Sequence, residues 1–387
     1  MHILIPFFPY REPKLLNGVE NIIEILNEKN IKKVMLVTDK GIKGLGLTMP
    51  LEKLFEENEI ICTVYDKTLP NPTSGNVEEA KSLYLSNKCQ AIIAFGGGSP
   101  MDCAKALGAQ IVKPKMSLAK MQGLIKIRKK LPLLIAVPTT AGTGSEATVA
   151  SVIVDSETHH KYVINDFCLI PHYAVMMPSV TVSLPKHITA TTGMDALTHA
   201  LEVYIGGSMT KKSKKSAIEA IKLILENLEK VYVNGDDLEA RKNMLYASYL
   251  AGTAFTKSYV GYVHAVAHTL GGKYGVAHGL ANAILLPRVL RAYGDKITKK
   301  LAQLAKEVGL VKEYMNNEEA AEFLISYIEG MNSRMGIPNK LDVLLKEDIP
   351  EMAQLADKEA NPLYPVPILW NAKELEKLYL LIYSEGN

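Results

Sequence analysis

The chain is short of cysteine, of excess charge and of long hydrophobic runs, and each shortage excludes something. Its four cysteines, Cys62, Cys89, Cys103 and Cys168, are scattered over 387 residues without a Cys-x-x-Cys spacing. That argues against a disulfide framework and against a structural zinc knuckle, and reduced thiols are expected. A formal charge of +3 is too near balance to imply a nucleic-acid or membrane partner. The densest basic run, Lys126, Arg128, Lys129 and Lys130, has no interleaved aromatics and reads as a solvated loop. No apolar run approaches the ~18 residues needed to span a bilayer, and Met1-His2-Ile3-Leu4-Ile5-Pro6 lacks a charged leader region. A cytoplasmic protein is the expectation. Low-complexity tracts and internal repeats are missing too, so disorder is not expected.

What is present is ordinary for a globular protein, 48% hydrophobic and 22% charged. The length exceeds that of a single growing core, so two domains are expected. From about residue 20 to 185, β-branched apolar runs (33–38, 90–95, 133–138) alternate with helical patterns, as in a parallel sheet covered on both faces. Beyond Pro185 the runs stop, and segments such as 214–231 and 238–255 carry apolar residues at three-to-four spacing. The reading is an α/β domain over 1–184, of dinucleotide-binding type, followed by an all-α domain over 185–387, with Pro178 and Pro185 near the boundary.

Two loops suit a nucleotide. After the run ending at Phe95 comes Gly96-Gly97-Gly98-Ser99-Pro100-Met101-Asp102, in which Ser99 is expected to cap a helix, with Pro100 at its first position and Asp102 closing a capping box. The glycines suit either the approach of an anionic group to a helix N-terminus or a tight turn needing positive φ. The G-x-G-x-x-G pattern itself is absent. The second loop, Pro138-Thr139-Thr140-Ala141-Gly142-Thr143-Gly144-Ser145-Glu146, offers hydroxyls at a strand end, where open α/β sheets bind ligands. Asp39, closing the first run, suits ribose hydroxyls and would repel a 2′-phosphate; it suits a simple turn equally.

Asp195 and His199 stand four apart, on one face of a helix, as do His264 and His268, while His278 follows a glycine-rich stretch that can turn back. Several imidazoles among Ala, Val, Leu and Gly are costly to bury without a shared partner. Up to five ligands are thereby offered to one ion, and imidazole plus carboxylate suits Fe²⁺, Zn²⁺, Ni²⁺ or Co²⁺ better than Mg²⁺ or Ca²⁺. His2, His159, His160, His172 and His187 lack such company and read as surface or structural residues.

The ordered motifs GGGSPMDCAK, PTTAGTGSE, GMDALTHALE and GYVHAVAHTLGGKYGVAHGLANAILLP resemble the iron-containing (group III) metal-dependent alcohol dehydrogenase family over almost the whole chain. The resemblance implies an NAD(H)-dependent, metal-dependent oxidoreductase of small primary alcohols, diols or hydroxyaldehydes, of dehydroquinate synthase-like two-domain architecture with the active site between the domains; homodimers are common in the family. It narrows the metal ligands to Asp195, His199, His264 and His278, and sets His268 on the catalytic side, near the nicotinamide. The implied NAD contacts are Asp39, Gly97, Gly98, Ser99, Asp102, Thr139, Thr140 and Lys161, with Asn71 and Thr148 in addition. Asp39 matches NAD-preferring members rather than NADP users, and Fe²⁺ is the implied ion. The 361–367 loop, with Tyr364 and Pro365, is where relatives vary and where substrate choice is expected to be shaped. Tyr262 reads as a lining residue or as a packed aromatic.

One alternative belongs to another class: a metal- and NAD-dependent lyase or cyclase of the dehydroquinate synthase type. A sugar-phosphate substrate would call for clustered Lys and Arg, and the 261–279 stretch has only Lys273.

Overall fold

The structure, a computed structural model, describes residues 10–384, so His2 and the Met1–Pro6 stretch lie outside it. Its elements run β1 (Lys14–Leu16), α1 (Glu20–Glu28), β2 (Lys33–Val37), α2 (Lys40–Gly44), α3 (Met49–Glu57), β3 (Ile61–Tyr65), α4 (Ser74–Ser86), β4 (Ala91–Gly96), α5 (Gly98–Val112), α6 (Leu118–Met121), β5 (Gly123–Leu124), β6 (Leu133–Pro138), β7 (Ala150–Val154), β8 (Lys161–Asn165) and β9 (Tyr173–Val175). Helices follow: α7 (Lys186–Ile205), α8 (Lys211–Val233), α9 (Leu238–Ser258), α10 (Tyr262–Tyr274), α11 (His278–Tyr293), α12 (Asp295–Glu307), α13 (Asn317–Arg334), α14 (Ile349–Ala360) and α15 (Ala372–Ile382). The chain divides into two compact units between Val182 and Ser183.

The first unit holds a six-stranded, wholly parallel sheet in the order β1-β9-β6-β4-β2-β3. The continuous apolar runs have a direct explanation here. Val34, Leu36, Ala91, Ile93, Phe95, Ile135 and Val137 enter one buried cluster, while the alternate residues Met35, Val37, Ile92, Ala94, Leu134 and Ala136 enter another. Side chains of a strand point alternately to opposite faces, so a run apolar at every position is a strand covered on both sides. From β2 the chain goes outward to β3, then returns to the other side of β2 as β4. The strand order therefore reverses between β2 and β4, and the crevice beyond their carboxyl ends is where such sheets take ligands.

A second sheet, β5-β8-β7, escapes the alternation seen in the sequence. Its β7 and β8 are antiparallel, joined by a turn in which Asp155 Oδ1 accepts from the Glu157 and Thr158 amides. The basic run at 126–130 is an exposed loop, as expected, around the buried Ile127.

The second unit is helical, and no named strand occurs in it among the described residues. Side chains start the long helices: Thr210 and Ser213 form a capping box for α8, and Asp237 accepts from the Ala240 amide at the start of α9. Pro287 interrupts α11 and leaves the Ala283 carbonyl without its helical donor. Buried Asn332 of α13 supplies the missing bond, its Nδ2 donating to that carbonyl at 2.6 Å.

Candidate functional site

Helix α7 presents Asp195, His199 and Glu202 on one stripe, each no more than 4% exposed. Helix α10 contributes His264 and His268, one turn apart. It ends at Gly275, whose φ of +67° lets the chain reverse through a left-handed cap, and α11 then opens on His278. The turning back that the glycines suggested is this cap.

The ligating atoms of Asp195, His199, His264 and His278 all lie within 4.8 Å of one another. Asp195 Oδ1 stands 3.4 Å from His278 Nε2 and 3.8 Å from His264 Nε2. Ligands placed ~2.1 Å from an ion at tetrahedral angles stand ~3.4 Å apart, so the spacing fits a first-row divalent metal. Asn282, one turn into α11, marks the same centre. Its Nδ2 lies 2.7 Å from Asp195 Oδ1, 3.2 Å from His264 Nε2 and 3.1 Å from His278 Nε2, so three side-chain atoms of the cluster converge on one amide nitrogen.

Around this centre Glu202 aims the His264 ring. Its Oε2 lies 2.6 Å from His264 Nδ1 and takes the Gly261 amide at 2.7 Å, while Oε1 takes the Val263 amide at 2.7 Å. A carboxylate behind a ligand imidazole fixes the ring so that Nε2 faces the ion. Gly261 makes room for it, since a Cβ there would lie 2.8 Å from Glu202 Oε1. Burial pushes Glu202 up to about 7 against these hydrogen bonds. Burial, with the imidazoles of His199, His278 and His268, holds His264 well below the ordinary histidine range, which keeps it in the neutral form that ligates.

His268 is not in the cluster. Its ring stacks on that of His278 at 5.3 Å, and its Nδ1 lies 2.6 Å from Glu359 Oε1. Glu359 is held below the usual carboxylate range by His268 and Tyr364, which together outweigh its burial. Tyr364 donates to Glu359 Oε1 at 2.7 Å. Tyr262 is the packed aromatic: fully buried, it stacks on Trp370 at 5.2 Å, and its hydroxyl takes the Trp370 amide. Lys273, the lone basic residue of its stretch, is paired with Asp348 at 2.7 Å and Glu351 at 2.9 Å.

In the first unit, Asp39 and Gly97–Ser99 follow β2 and β4, flanking the point where strand order reverses, and Thr139 and Thr140 follow β6. The glycine loop differs from expectation. Helix α5 begins at Gly98 with Gly97 as its N-cap and no side-chain cap. Ser99 Oγ instead accepts from the Asn71 amide at 3.2 Å, and Asp102 takes Ser145 Oγ at 3.1 Å and the Val152 amide at 3.1 Å. A glycine cap leaves the first amides of the helix without an internal acceptor, the arrangement that favours an anion. Positive φ explains only Gly96, at +153°. Gly97 and Gly98 are there for close approach, since Cβ atoms would meet Thr140 Oγ1 at 3.3 Å and Thr143 Cγ2 at 3.1 Å.

Thr139 is 1% exposed and its hydroxyl has no hydrogen-bond partner among the described residues, as a group awaiting a ligand would be. Asp39 Oδ1 caps α2 by accepting from the Ile42 amide at 2.9 Å. Exposed Lys161 reaches Asn71 Oδ1 at 2.7 Å. Thr148 is turned inward, its hydroxyl taking Lys105 Nζ at 2.9 Å.

Lys105, like Glu202, Glu359 and Asn282, was passed over by sequence reasoning. Fully buried, it also donates to Ser145 Oγ at 3.0 Å and to the carbonyls of Thr148 and Ala150 at 3.1 and 2.8 Å. It ties α5 to the second loop and to β7. Burial pushes it down to about 8 against Asp102 and Glu146, and pushes those carboxyls up to about 6 and about 7. The available signal was a lysine set among Cys103, Ala104, Ala106 and Leu107.

A doubly covered parallel sheet with ligand loops at its reversal point, followed by helices enclosing an imidazole–carboxylate cage, defines a class: nucleotide- and metal-dependent enzymes. Comparison with known proteins makes this particular. Residues 16–178 match the family model for iron-containing alcohol dehydrogenase, and 189–383 the model for the C-terminal part of the Fe-containing alcohol dehydrogenase family. The chain is 37% identical over 380 residues to the 1,3-propanediol dehydrogenase of Citrobacter freundii, covering 96% of this chain and 98% of that one. It is 35% identical over 322 residues to the NAD-dependent methanol dehydrogenase of Bacillus methanolicus, covering 83% and 84%. A crystal structure of a 1,3-propanediol oxidoreductase superposes with a TM-score of 0.93 at 35% identity, covering 97% of this chain and 100% of that one. The chain belongs to the iron-containing alcohol dehydrogenase family, whose α/β-then-helical plan it shares. The lyase alternative is not favoured by these matches.

Proposed function

We propose that the protein interconverts small primary alcohols, diols or hydroxyaldehydes with their oxidised partners, using NAD(H) and one divalent ion. The observation that carries this reading is the convergence of Asp195, His199, His264 and His278 within 4.8 Å. These four would hold the ion, with Fe²⁺ first by family and Zn²⁺ equally suited to the donor set. Bound, the two groups supply polarisation of the alcohol or carbonyl oxygen and the hydride acceptor or donor. The chain's own residues bind and orient. Gly97, Gly98 and the first turn of α5 receive the anionic part of the dinucleotide, Ser99, Thr139, Thr140, Asn71 and Lys161 make up the surrounding polar wall, Asp102 and the inward-turned Thr148 brace it through Ser145 and Lys105, and Asp39 selects NAD over NADP by repelling a 2′-phosphate. His268 is a catalytic-side residue beside the cage, and the 361–367 loop shapes substrate choice.

Paired Lys273 leaves no free basic group in the 261–279 stretch for a sugar phosphate, which speaks against the cyclase alternative. No described helix is long and apolar enough to cross a membrane. Residence in the cytoplasm and a homodimer belong to the same reading; light scattering checks the dimer.

The test is a spectrophotometric screen for NADH oxidation with short aldehydes, run on chelated protein to which Fe²⁺, Zn²⁺, Co²⁺ or Ni²⁺ is restored in turn. Turnover with at least one aldehyde is expected. Inactivity toward every aldehyde, ketone and alcohol under every ion would sink the reading.

A further inference from the structure

The two histidines of α10 are held in the same way. Each has its Nδ1 2.6 Å from a carboxylate of another helix, His264 on Glu202 of α7 and His268 on Glu359 of α14. Glu202 is explained by the metal centre. Glu359 is not, and its position is unfavourable in two respects. It is the next-to-last residue of α14, where the negative end of the helix dipole disfavours a carboxylate, and its side chain is only 34% exposed. What offsets this is its pair of partners, His268 Nδ1 and the Tyr364 hydroxyl, which both meet Oε1. A carboxylate only accepts, so the imidazole that faces it presents N–H at Nδ1 and leaves Nε2 as the ring's acceptor.

We propose that Glu359 is the positioning residue for His268: it fixes the ring's orientation and its Nδ1–H tautomer, with Tyr364 steadying the carboxylate from the other side. The proposal rests on the dehydrogenase reading, in which His268 serves the reaction rather than the ion. Glu359 belongs to α14 and its hydrogen-bond partners are His268 and Tyr364, neither of them in the Asp195–His199–His264–His278 cluster.

The experiment uses metal-loaded wild type, Glu359→Ala and Glu359→Gln, with the best aldehyde from the screen. In Glu359→Ala, kcat is expected to fall about tenfold or more. The KM values for aldehyde and NADH should stay within about twofold and metal content at the wild-type level, and added formate should restore part of the lost kcat. ¹⁵N-histidine NMR of the zinc form should show His268 as the Nδ1–H tautomer in the wild type and a mixture in Glu359→Ala. Glu359→Gln keeps an acceptor oxygen and should retain the Nδ1–H tautomer and more of kcat than Glu359→Ala; if the alanine variant does not fold, Glu359→Leu is judged by the alanine criteria. A kcat within twofold of wild type, a loss accompanied by loss of metal, or an Nε2–H tautomer in the wild type would overturn the proposal. An inert wild type would instead condemn the functional reading on which it stands.

Discussion

Gly279 follows His278 at the start of α11, and a Cβ placed there would lie 2.4 Å from the Thr191 carbonyl oxygen and 2.8 Å from its carbon. Both are backbone atoms of α7, so no side chain can swing aside. Ordinary contact begins at 3.4 Å, and Gly279→Ala therefore forces α11 and α7 apart by about 1 Å. Thr191 precedes Asp195 by one turn, so the displacement acts on the 3.4 Å gap between Asp195 Oδ1 and His278 Nε2. Metal sites tolerate only ~0.2 Å in ligand distance. The expected result is an overpacking loss of about 1–3 kcal/mol and a fall in metal affinity on the order of 10–100-fold. Metal retained after dialysis against a graded chelator, measured by mass spectrometry, reads the second, and urea unfolding of the metal-free protein the first. Gly272→Ala is the control: it lies in the neighbouring helix α10 with nothing within 4 Å of its Cβ, and should keep the metal while gaining about 0.5–1 kcal/mol. Full metal retention and unchanged stability in Gly279→Ala would mean that the contact between Gly279 and the Thr191 backbone does not set the ligand spacing.

Two further predictions concern the first unit. Lys105→Met removes a buried cation from four acceptors and from Asp102 and Glu146. It should cost about 3–5 kcal/mol in urea unfolding and weaken NADH binding in a fluorescence titration; wild-type values in both would contradict the anchoring role. His172 accepts the Leu134 amide at Nδ1, and burial, then Arg11 and Lys130, pushes its pKa down to about 4. A depressed pKa means stability present above the unfolded value of ~6.5 and lost as pH falls through 4. Discounted for the ring's partial exposure, this amounts to about 2 kcal/mol. Between pH 7 and 4 the wild type should lose that much more than His172→Gln, and equal losses by urea unfolding would count against it.

The parallel sheet was readable because its strands are buried on both faces, which writes apolar residues at consecutive positions in 33–37, 91–96 and 133–138. The long helices α8 and α9 were readable from their spacing, to within a few residues at each end. The small sheet of β5, β7 and β8 was not, because β5 has two residues and β7 and β8 are fully buried only at alternate positions. Ser99 looked like a cap because its residue type and spacing fit one. Gly97, two residues ahead of it, takes the cap position instead, and Asp102 is drawn to Ser145 and Val152, contacts more than forty residues away that local reasoning has no means of seeing. Histidine spacing gave five candidates; four are gathered by the reversal at Gly275 and by the packing of α7, α10 and α11. Glu202, Glu359 and Asn282 carry no signature beyond the positions they occupy on those helices and on α14.

Asp195, His199, His264 and His278 are expected to hold the ion, with His268 outside the cluster. The most direct test is bound metal per chain in purified wild type, His264→Ala and His268→Ala. One ion is expected in the wild type, one in His268→Ala and none in His264→Ala. A metal-free His268→Ala, or a His264→Ala that keeps its ion, would contradict it.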